Sequence, residues 1–467
     1  MLDNIRFVYF IGIGGIGMSA LARWCRINGY QVAGYDRTAT PLTDALQSEG
    51  IPIHFEDNIH LIPADFLASP KKTLVVYTPA IPKEHQELQY LQAAGFNCQK
   101  RAAVLGWIAN QMRCLAIAGT HGKTSTSATL AHLLHYNQED CAAFLGGIAQ
   151  NYQTNFLPNR GTPACAWAVV EADEYDRSFL HLLPRAAVIT STDADHLDIY
   201  GQSEHLLKSY AEFGNKVCQG GWLFLHHSTQ LSKNDFEGRN TWRYAVHQEK
   251  EVDVWAENIR LQKNAILFDW MVQGRALLKE VILPVPGLHS LSNALAAITI
   301  AWKVVQVSPE KLKEALATYK GVKRRFEIVL ESDWLVYVDD YAHHPTEIEA
   351  FIAAMRLRYP RRHLTVIFQP HLFSRTRDFA EGFAKSLSQA DRLILLPIYP
   401  AREKPIDGVD SELIFRHVSL KDKYLVSEVE LLPLLEQLPI DLLATVGAGD
   451  IDRFVPQIAN MFTCKIP

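Results

Sequence analysis

Residues 116–126 read AIAGTHGKTST, and their types and spacing suit one chemistry, the gripping of nucleotide phosphates. The common loop for that task is G-x-x-x-x-G-K-[ST]. It would put a glycine at position 117, where this chain has Ile117, and the glycine stands instead at Gly119, giving the shorter G-T-H-G-K-T. The physics does not need the longer loop. A strand ends, small residues turn the chain and expose successive backbone N–H groups, and a helix begins there with its positive end facing the loop. Gly119 and Gly122 permit the turn, and Thr120, His121 and Ser125 complete the cradle. Lys123 brings a point charge to the β- and γ-phosphates, and Thr124 offers a hydroxyl to Mg²⁺.

A magnesium nucleotide also calls for carboxylates, because Mg²⁺ prefers hard oxygen ligands. VVEADEYDRSFL places Glu171, Asp173, Glu174 and Asp176 after one buried-looking strand, and TSTDADHLDIYG places Asp193, Asp195, His196 and Asp198 after the next. Strand ends on one edge of a parallel sheet converge on a ligand crevice, so these acids are expected to face the phosphate loop. A second loop, GIGGIG at 12–17, fits G-x-G-x-x-G between a strand and a helix, with Asp36 at the end of the following strand. Taken alone it is a dinucleotide fingerprint with an acid for a ribose hydroxyl. The same loop can hold any diphosphate, because it recognises oxygens reached by backbone and not a nicotinamide. Two phosphate loops in separate units point to two phosphorylated ligands.

Elements must hold these loops. Apolar strand-like runs alternate with helical patterns, which indicates α/β architecture with parallel sheets. The alternation predicts three domains: a Rossmann-like N-terminal domain over 1–110, a central P-loop ATPase-like domain over 111–323, and a Rossmann-like C-terminal domain over 324–467. Residues 220–285 (GGWLFLHH, VDVWAENIRL, AILFDW, LLKEVILPVPG) read as consecutive strands, an antiparallel addition to the central domain, and helices are expected at about 289–305 and 308–319.

Composition excludes other classes. With 46 basic and 51 acidic residues among 467 and a net charge of -5, no basic excess points to nucleic acid. No run of 18 apolar residues suggests a membrane span. Seven scattered cysteines without a C-x-x-C pair suit reduced thiols, and MLDNIRFVYF runs into a strand without a leader pattern, so a cytoplasmic setting is expected.

The motifs FIGIGGIGMSALA, GTHGKTST, EADEYDRSFL, DADHLDIY, RRFE, DDYAHHPTE and FQPHLFSRTRDF occur in the order found in the Mur ligases, which the chain resembles from about residue 7 to GAGDI at 447–451. It is most similar to the alanine-adding branch. The branch that attaches a recycled tripeptide typically has a cysteine-containing I-C-G-T first loop, unlike GIGGIGM here. The resemblance implies transfer of the γ-phosphate of ATP to the lactyl carboxylate of UDP-N-acetylmuramate. L-Alanine then attacks the acyl phosphate, and ADP and phosphate leave. Lys123 would stabilise the moving phosphoryl group. Thr124 and Glu171 would hold one Mg²⁺, with Glu171 shared with a second ion bound by His196. His289 and Asn293 in PGLHSLSNALAA match positions that approach adenine, although Ser290 departs from the H-N pair common in the family.

In the C-terminal domain, Arg325 matches a residue that reaches the γ- or acyl phosphate, and its fork suits phosphate oxygens. Asp340, Tyr341 and His343 would line the site, Asp340 orienting the arginine or the amine, while His344 shapes the turn. His371 and Arg375 resemble an alanine-carboxylate grip, with Leu372 where some relatives carry arginine. Gly12, Gly14, Gly15 and Gly17 would surround the UDP diphosphate, with Asp36 at the nucleoside and Thr78, Ala80 and Ile81 of YTPAIP beside it. The lysine that other family members carbamylate is absent near Ala211. Ligands divided among three domains imply hinge closure. A rival reading, a nicotinamide oxidoreductase built on the first loop, leaves the G-K-T loop, both acidic strand ends and Arg325 without purpose. A regulator that has lost catalysis would not need Lys123, Glu171, His196, Arg325 and Asp340 together.

Overall fold

The computed structural model describes residues 4–193, 203–262, 265–401 and 403–463. The described residues of Met1–Arg260, Leu267–Ile282 and Ser292–Lys320 form one compact body, and those of Leu261–Ile266, Leu283–Leu291 and Gly321–Pro467 a second. The architecture is a three-domain α/β fold built on three sheets.

The first sheet contains β1 (Phe7–Ile11), β2 (Gln31–Tyr35), β3 (Ile53–His54), β4 (Thr73–Tyr77) and β5 (Asn97–Lys100), in the order β3-β2-β1-β4-β5. All its pairings are parallel. β1 lies at the centre and is buried along its whole length, which is why FVYFI is a continuous apolar run and does not alternate. The helix Ile16–Ile27 starts directly after the first glycine loop and buries Met18, Leu21, Ala22, Trp24 and Cys25 against one face of the sheet.

The central sheet contains β6 (Arg113–Ala118), β7 (Cys141–Ala149), β8 (Thr154–Leu157), β9 (Trp167–Glu171), β10 (Ala186–Ile189), β11 (Trp222–His226), β12 (Asn240–Tyr244), β13 (Val254–Gln262), β14 (Ala265–Val272) and β15 (Arg275–Leu283). Their order is β15-β14-β13-β12-β11-β10-β6-β9-β7-β8. β6 pairs in parallel with β9 and β10, with Ile117 opposite Glu171 and Ala118 opposite Ile189. The phosphate loop after β6 therefore has the end of β9 on one side and the end of β10 on the other. The helix Lys123–Tyr136 begins within this loop and buries most of its length.

The antiparallel addition expected over 220–285 is present, but it starts later in the chain than expected. β11 and the unforeseen β12 join β10 in parallel, and β13 also pairs with β12 in parallel. Trp222 and Trp242 pack edge to face across the parallel β11–β12 pair, so the aromatic texture of this stretch reflects parallel strands as well. The antiparallel character lies beyond. β14 and β15 are neighbours joined by Gln273 and Gly274 alone, both at positive φ, a two-residue turn that only an antiparallel pair can close.

The third sheet contains β16 (Glu327–Glu331), β17 (Val336–Asp340), β18 (Leu364–Phe368), β19 (Arg392–Leu395), β20 (Lys423–Leu425) and β21 (Leu442–Val446), ordered β16-β17-β21-β18-β19-β20. Only β16 runs antiparallel, against β17. Phe383 is fully buried in its core and Phe379 packs against that core, as expected of two apolar residues one helical turn apart. Among the described residues no helix is long and apolar enough to cross a membrane. Cys25, Cys98, Cys114, Cys141, Cys165 and Cys218 are free thiols.

Candidate active site

The short phosphate loop depends on its two glycines. Gly119 has φ +126° and Gly122 +81°. A Cβ on Gly119 would collide with the Thr190 hydroxyl and lie 2.8 Å from the Ser191 nitrogen, and one on Gly122 would lie 2.5 Å from Asn293 Oδ1. Residues after β10 brace the loop. His121 N donates to Ser191 Oγ at 2.9 Å, the Thr120 hydroxyl donates to Asp193 O at 2.7 Å, and the Thr190 hydroxyl donates to the carbonyl of His121. Asn293 is buried beside Gly122, whereas His289, in the first turn of the helix Leu288–Lys303, is exposed. Ser125 accepts the Thr129 hydroxyl through its carbonyl at 2.7 Å.

Lys123 donates to Gly119 O at 2.6 Å, to Thr120 O at 3.3 Å and to both carboxylate oxygens of Glu174 at 2.9 Å. Burial pulls the ammonium down, but Glu174, Asp173 and Glu171 outweigh it, so its pKa stands above the usual lysine value. Glu174 is only 1% exposed, so this charge pair is shielded from water. One helix position on, Thr124 Oγ1 donates to Glu171 Oε2 at 3.1 Å. Ser127 Oγ and Gly146 N reach Glu171 Oε1 at 3.0 and 2.5 Å. A hydroxyl and a carboxylate thus meet at the end of β9 beside the phosphate cradle. This donor set suits Mg²⁺, which usually takes one or two protein oxygens and leaves the rest of its shell to phosphate and water. The described residues contain no cluster of three or more acidic, histidine or cysteine ligands, and His196 lies outside them.

The other two acids of the EADEYD run face the N-terminal domain. Asp173 Oδ2 lies 3.3 Å from Arg101 Nη2, and Asp176 Oδ2 lies 2.6 Å from Lys100 Nζ. The run bends sharply to allow this, with Asp176 at φ +54° and Arg177 at φ +53°.

The first glycine loop joins β1 to the helix Ile16–Ile27. Gly12 has φ +86° and donates its N–H to Tyr35 O at 2.8 Å. Gly14 N donates to Asp36 Oδ2 at 2.7 Å, and a Cβ on Gly14 would lie 2.8 Å from both Asp36 and Thr43. Gly15 N donates to Gly12 O at 3.2 Å. A Cβ on Gly12 would lie 3.2 Å from Thr78 and Ile81, whose turn is closed by Ile81 N to Thr78 O at 3.1 Å and Ala80 N to Thr78 Oγ1 at 3.3 Å. Asp36 thus closes its own loop, with its other oxygen accepting from Thr38 N at 3.2 Å.

In the C-terminal domain, Arg325 sits between Arg324 and Phe326, which have φ +59° and +49°. This turn is pinned by Asp340 at the end of β17, whose carboxylate accepts Phe326 N at 2.6 Å and Ala342 N at 2.8 Å. Burial pushes Asp340 up to about 6, against the opposing pull of Arg325. The Arg325 guanidinium lies 5.1 Å from the Tyr341 ring centroid and 4.0 Å from Glu347. His343 Nδ1 is 3.0 Å from Tyr341 O and 3.3 Å from Glu347 Oε2. His344 accepts Thr346 N and caps the helix Pro345–Arg358, a turn-shaping role. His343 approaches His371 at 6.1 Å between ring centroids, and His371 stacks on Tyr399 and lies 3.3 Å from Arg375 Nη1. Leu372 is buried at φ +73°, held there by its N–H on Tyr399 O and by the Thr376 hydroxyl on its carbonyl.

The structure therefore groups the phosphate-loop residues with Glu171, the first loop with Asp36 and Thr78–Ile81, and Arg325, Asp340, Tyr341 and His343 with His371 and Arg375. Sequence reasoning did not single out Ser127, Arg101, Glu347 or Tyr399, nor did it pair Glu174 with Lys123. Two of these carried a local signal. Ser127 follows Thr124 by one helical turn, and Glu347 follows His343 by four residues.

Comparison with known proteins agrees along the whole chain. Residues 7–113 match the Mur ligase family, catalytic domain; residues 117–301 the Mur ligase middle domain; and residues 324–451 the Mur ligase, glutamate ligase domain. A UDP-N-acetylmuramate--L-alanine ligase of Flavobacterium psychrophilum is 46% identical over 98% of both chains. Its counterpart in Parabacteroides distasonis is 46% identical over 99% of this chain and 98% of its own. The crystal structure of UDP-N-acetylmuramate-alanine ligase MurC from Thermotoga maritima superposes with a TM-score of 0.81 at 25% identity, covering 98% of this chain and 99% of that one. A murein peptide ligase from Psychrobacter arcticus shares the fold, with a TM-score of 0.73 at 22% identity over 99% of each chain. With three consecutive domain models matched in order and relatives nearly half identical from end to end, the chain belongs to the Mur ligase family.

Proposed function

We propose that this chain is an ATP-dependent ligase that joins the lactyl carboxylate of UDP-N-acetylmuramate to the amine of L-alanine, releasing ADP and phosphate, in the cytoplasmic synthesis of peptidoglycan precursors. The observation that carries this reading is a phosphate loop whose lysine and whose metal-type carboxylate lie side by side, in a chain 46% identical along its length to proteins named for that reaction.

Residues 1–110 bind the UDP-sugar, 111–323 bind ATP, and 324–467 bind the amino acid. The diphosphate lies on Gly12, Gly14, Gly15 and Gly17, with Asp36, Thr78, Ala80 and Ile81 at the nucleoside. The triphosphate lies on Gly119–Ser125, with His289 and Asn293 toward the adenine. A carboxylate oxygen of the acid attacks the γ-phosphorus, the bond to the ADP oxygen breaks, and an acyl phosphate forms. Lys123 faces the charge that spreads over the transferring phosphoryl oxygens, and Arg325 is the catalytic arginine of the C-terminal domain. Mg²⁺, held by Thr124 and Glu171 with His196 at a second ion, would supply neutralisation of the β- and γ-phosphate charge. L-Alanine is held through its carboxylate by His371 and Arg375, beside Tyr341. Its amine gives a proton to His343 and attacks the acyl carbon, and phosphate departs as the amide forms. Asp340 sets the turn that carries Arg325.

A phosphate-release assay with ATP and Mg²⁺ tests this. Release is expected only when UDP-N-acetylmuramate and an amino acid are both present, with L-alanine ahead of glycine and serine. Release without either acceptor, or preference for an L-alanyl-γ-D-glutamyl tripeptide over alanine, would overturn it.

A further inference from the structure

Arg101 has no assigned part in the site, yet its position gives it one. It is the first residue of the helix Arg101–Ala109, which follows β5 directly. Its side chain lies over Gly17, the last glycine of the first loop. A Cβ built there would stand 2.7 Å from Arg101 Nη1 and 3.3 Å from its Cδ and Cζ, so the guanidinium lies directly against the loop at Gly17. On its other side Nη2 makes one long hydrogen bond, 3.3 Å, to Asp173 Oδ2. Among the described residues the Arg101 side chain makes no other hydrogen bond. A guanidinium carries five donors in a fixed fork, so most of its capacity to bind an anion is unspent.

Arg23, on the helix after the same loop, is the contrast. Its Nε and Nη2 engage Glu49 and its Nη1 engages Asn155, so its fork is already committed to the fold. Arg101 instead opens onto a cleft that it lines with Leu105, Glu171, Asp173 and Phe179. It therefore stands between the loop read above as the diphosphate site and the carboxylate read as the metal ligand.

We propose that Arg101 is a ligand-binding residue of this enzyme, its guanidinium taking the diphosphate oxygens of the sugar nucleotide at Gly17 while Asp173 holds it in place before the ligand arrives. This deepens the proposed function and rests on it. Asp173 belongs to the same short run as Glu171 and Glu174, so the contact also links the sugar-nucleotide loop to the segment that pairs with Lys123.

Calorimetric titration of the full chain with UDP, UDP-N-acetylglucosamine, UDP-N-acetylmuramate and a non-hydrolysable ATP analogue tests the assignment. In R101Q the three uridine ligands are expected to bind at least ~10-fold more weakly, by a similar factor for each, because a charge-assisted phosphate contact common to all three is lost. The ATP analogue should bind within about twofold of wild type. R101K keeps a cation but loses the fork and should recover part of the affinity. Unchanged uridine affinities in R101Q would overturn the proposal. So would a loss confined to UDP-N-acetylmuramate, which would put the guanidinium on the acid's carboxylate, or an equal loss for the ATP analogue, which would make the arginine structural. A wild-type chain that bound none of the uridine ligands would instead overturn the reading of the first loop.

Discussion

The ammonium of Lys123 lies 2.9 Å from both oxygens of Glu174, so a buried carboxylate engages the cation that a triphosphate would need. The pair is shielded, since Glu174 is 1% exposed. Removing one partner of a buried pair usually costs about 3–5 kcal/mol, because the other charge is left uncompensated. Here Lys123 keeps the carbonyls of Gly119 and Thr120, so E174Q should lose a smaller amount, about 2 kcal/mol. The same change removes a competitor for the lysine, so the ATP analogue should bind at least as tightly as in wild type. Urea unfolding and analogue titration of E174Q check both parts. Full stability with weakened ATP binding would mean that Glu174 serves the nucleotide directly.

Removing the cation itself should act on turnover. Lys123→Ala takes away the only side-chain charge that the loop carries, and loss of such a stabiliser typically costs ~100-fold or more in kcat. The KM for L-alanine should barely change, because the amino acid is assigned to the C-terminal domain. Steady-state phosphate release in K123A measures both, and near-normal kcat would remove Lys123 from its role.

The two loop glycines predict a second kind of loss. G119A would drive a methyl group into the Thr190 hydroxyl and force alanine to φ +126°, and G122A would crowd Asn293. Left-handed backbone alone costs an L-residue about 1–2 kcal/mol. Each variant should therefore weaken the ATP analogue by ~10-fold or more, while UDP binding to the N-terminal domain stays near wild type. Analogue affinity preserved in G119A would show that the loop tolerates the side chain and does not depend on its present turn.

Much of this site could be read before the fold was known, for a physical reason. A loop such as GTHGKTST carries its chemistry in adjacent residues, because the cradle is made of its own backbone. Glu171 could be read too, since the end of a buried strand in a parallel sheet must emerge at the ligand edge. The partner of Lys123 was less accessible. Within EADEYD, four acids differ only in position, and their partners, Thr124, Arg101, Lys123 and Lys100, come from distant parts of the chain. Arg101 gave no signal, because its meaning comes from Gly17 and Asp173, 84 and 72 residues away in the chain. The parallel pairing of β11 and β12 was hidden for the same reason. Two short apolar runs look alike in either direction, and only the path of the connecting chain tells them apart.

The pH dependence of the C-terminal domain follows from Asp340. Burial raises its pKa to about 6, so it is ionised at neutral pH and accepts the N–H groups of Phe326 and Ala342. Below pH 6 one oxygen becomes an O–H, which accepts from its facing N–H far more weakly than a carboxylate oxygen does, and the turn holding Arg325 loosens. The stability consequence has the opposite sign. A carboxyl whose folded pKa lies above its unfolded value favours the folded state at low pH and loses that contribution as pH rises through about 6. Asp340 should therefore make activity, and not stability, fall on acidification. kcat/KM for L-alanine is expected to drop about tenfold per pH unit below 6 while this group alone adds no acid lability. In D340N that limb should disappear and the plateau at pH 8 should fall ~10-fold or more, because the amide cannot accept both N–H groups or face Arg325 with a charge. An unchanged acid limb in D340N would assign the titration to another group and leave Asp340 a purely structural pin.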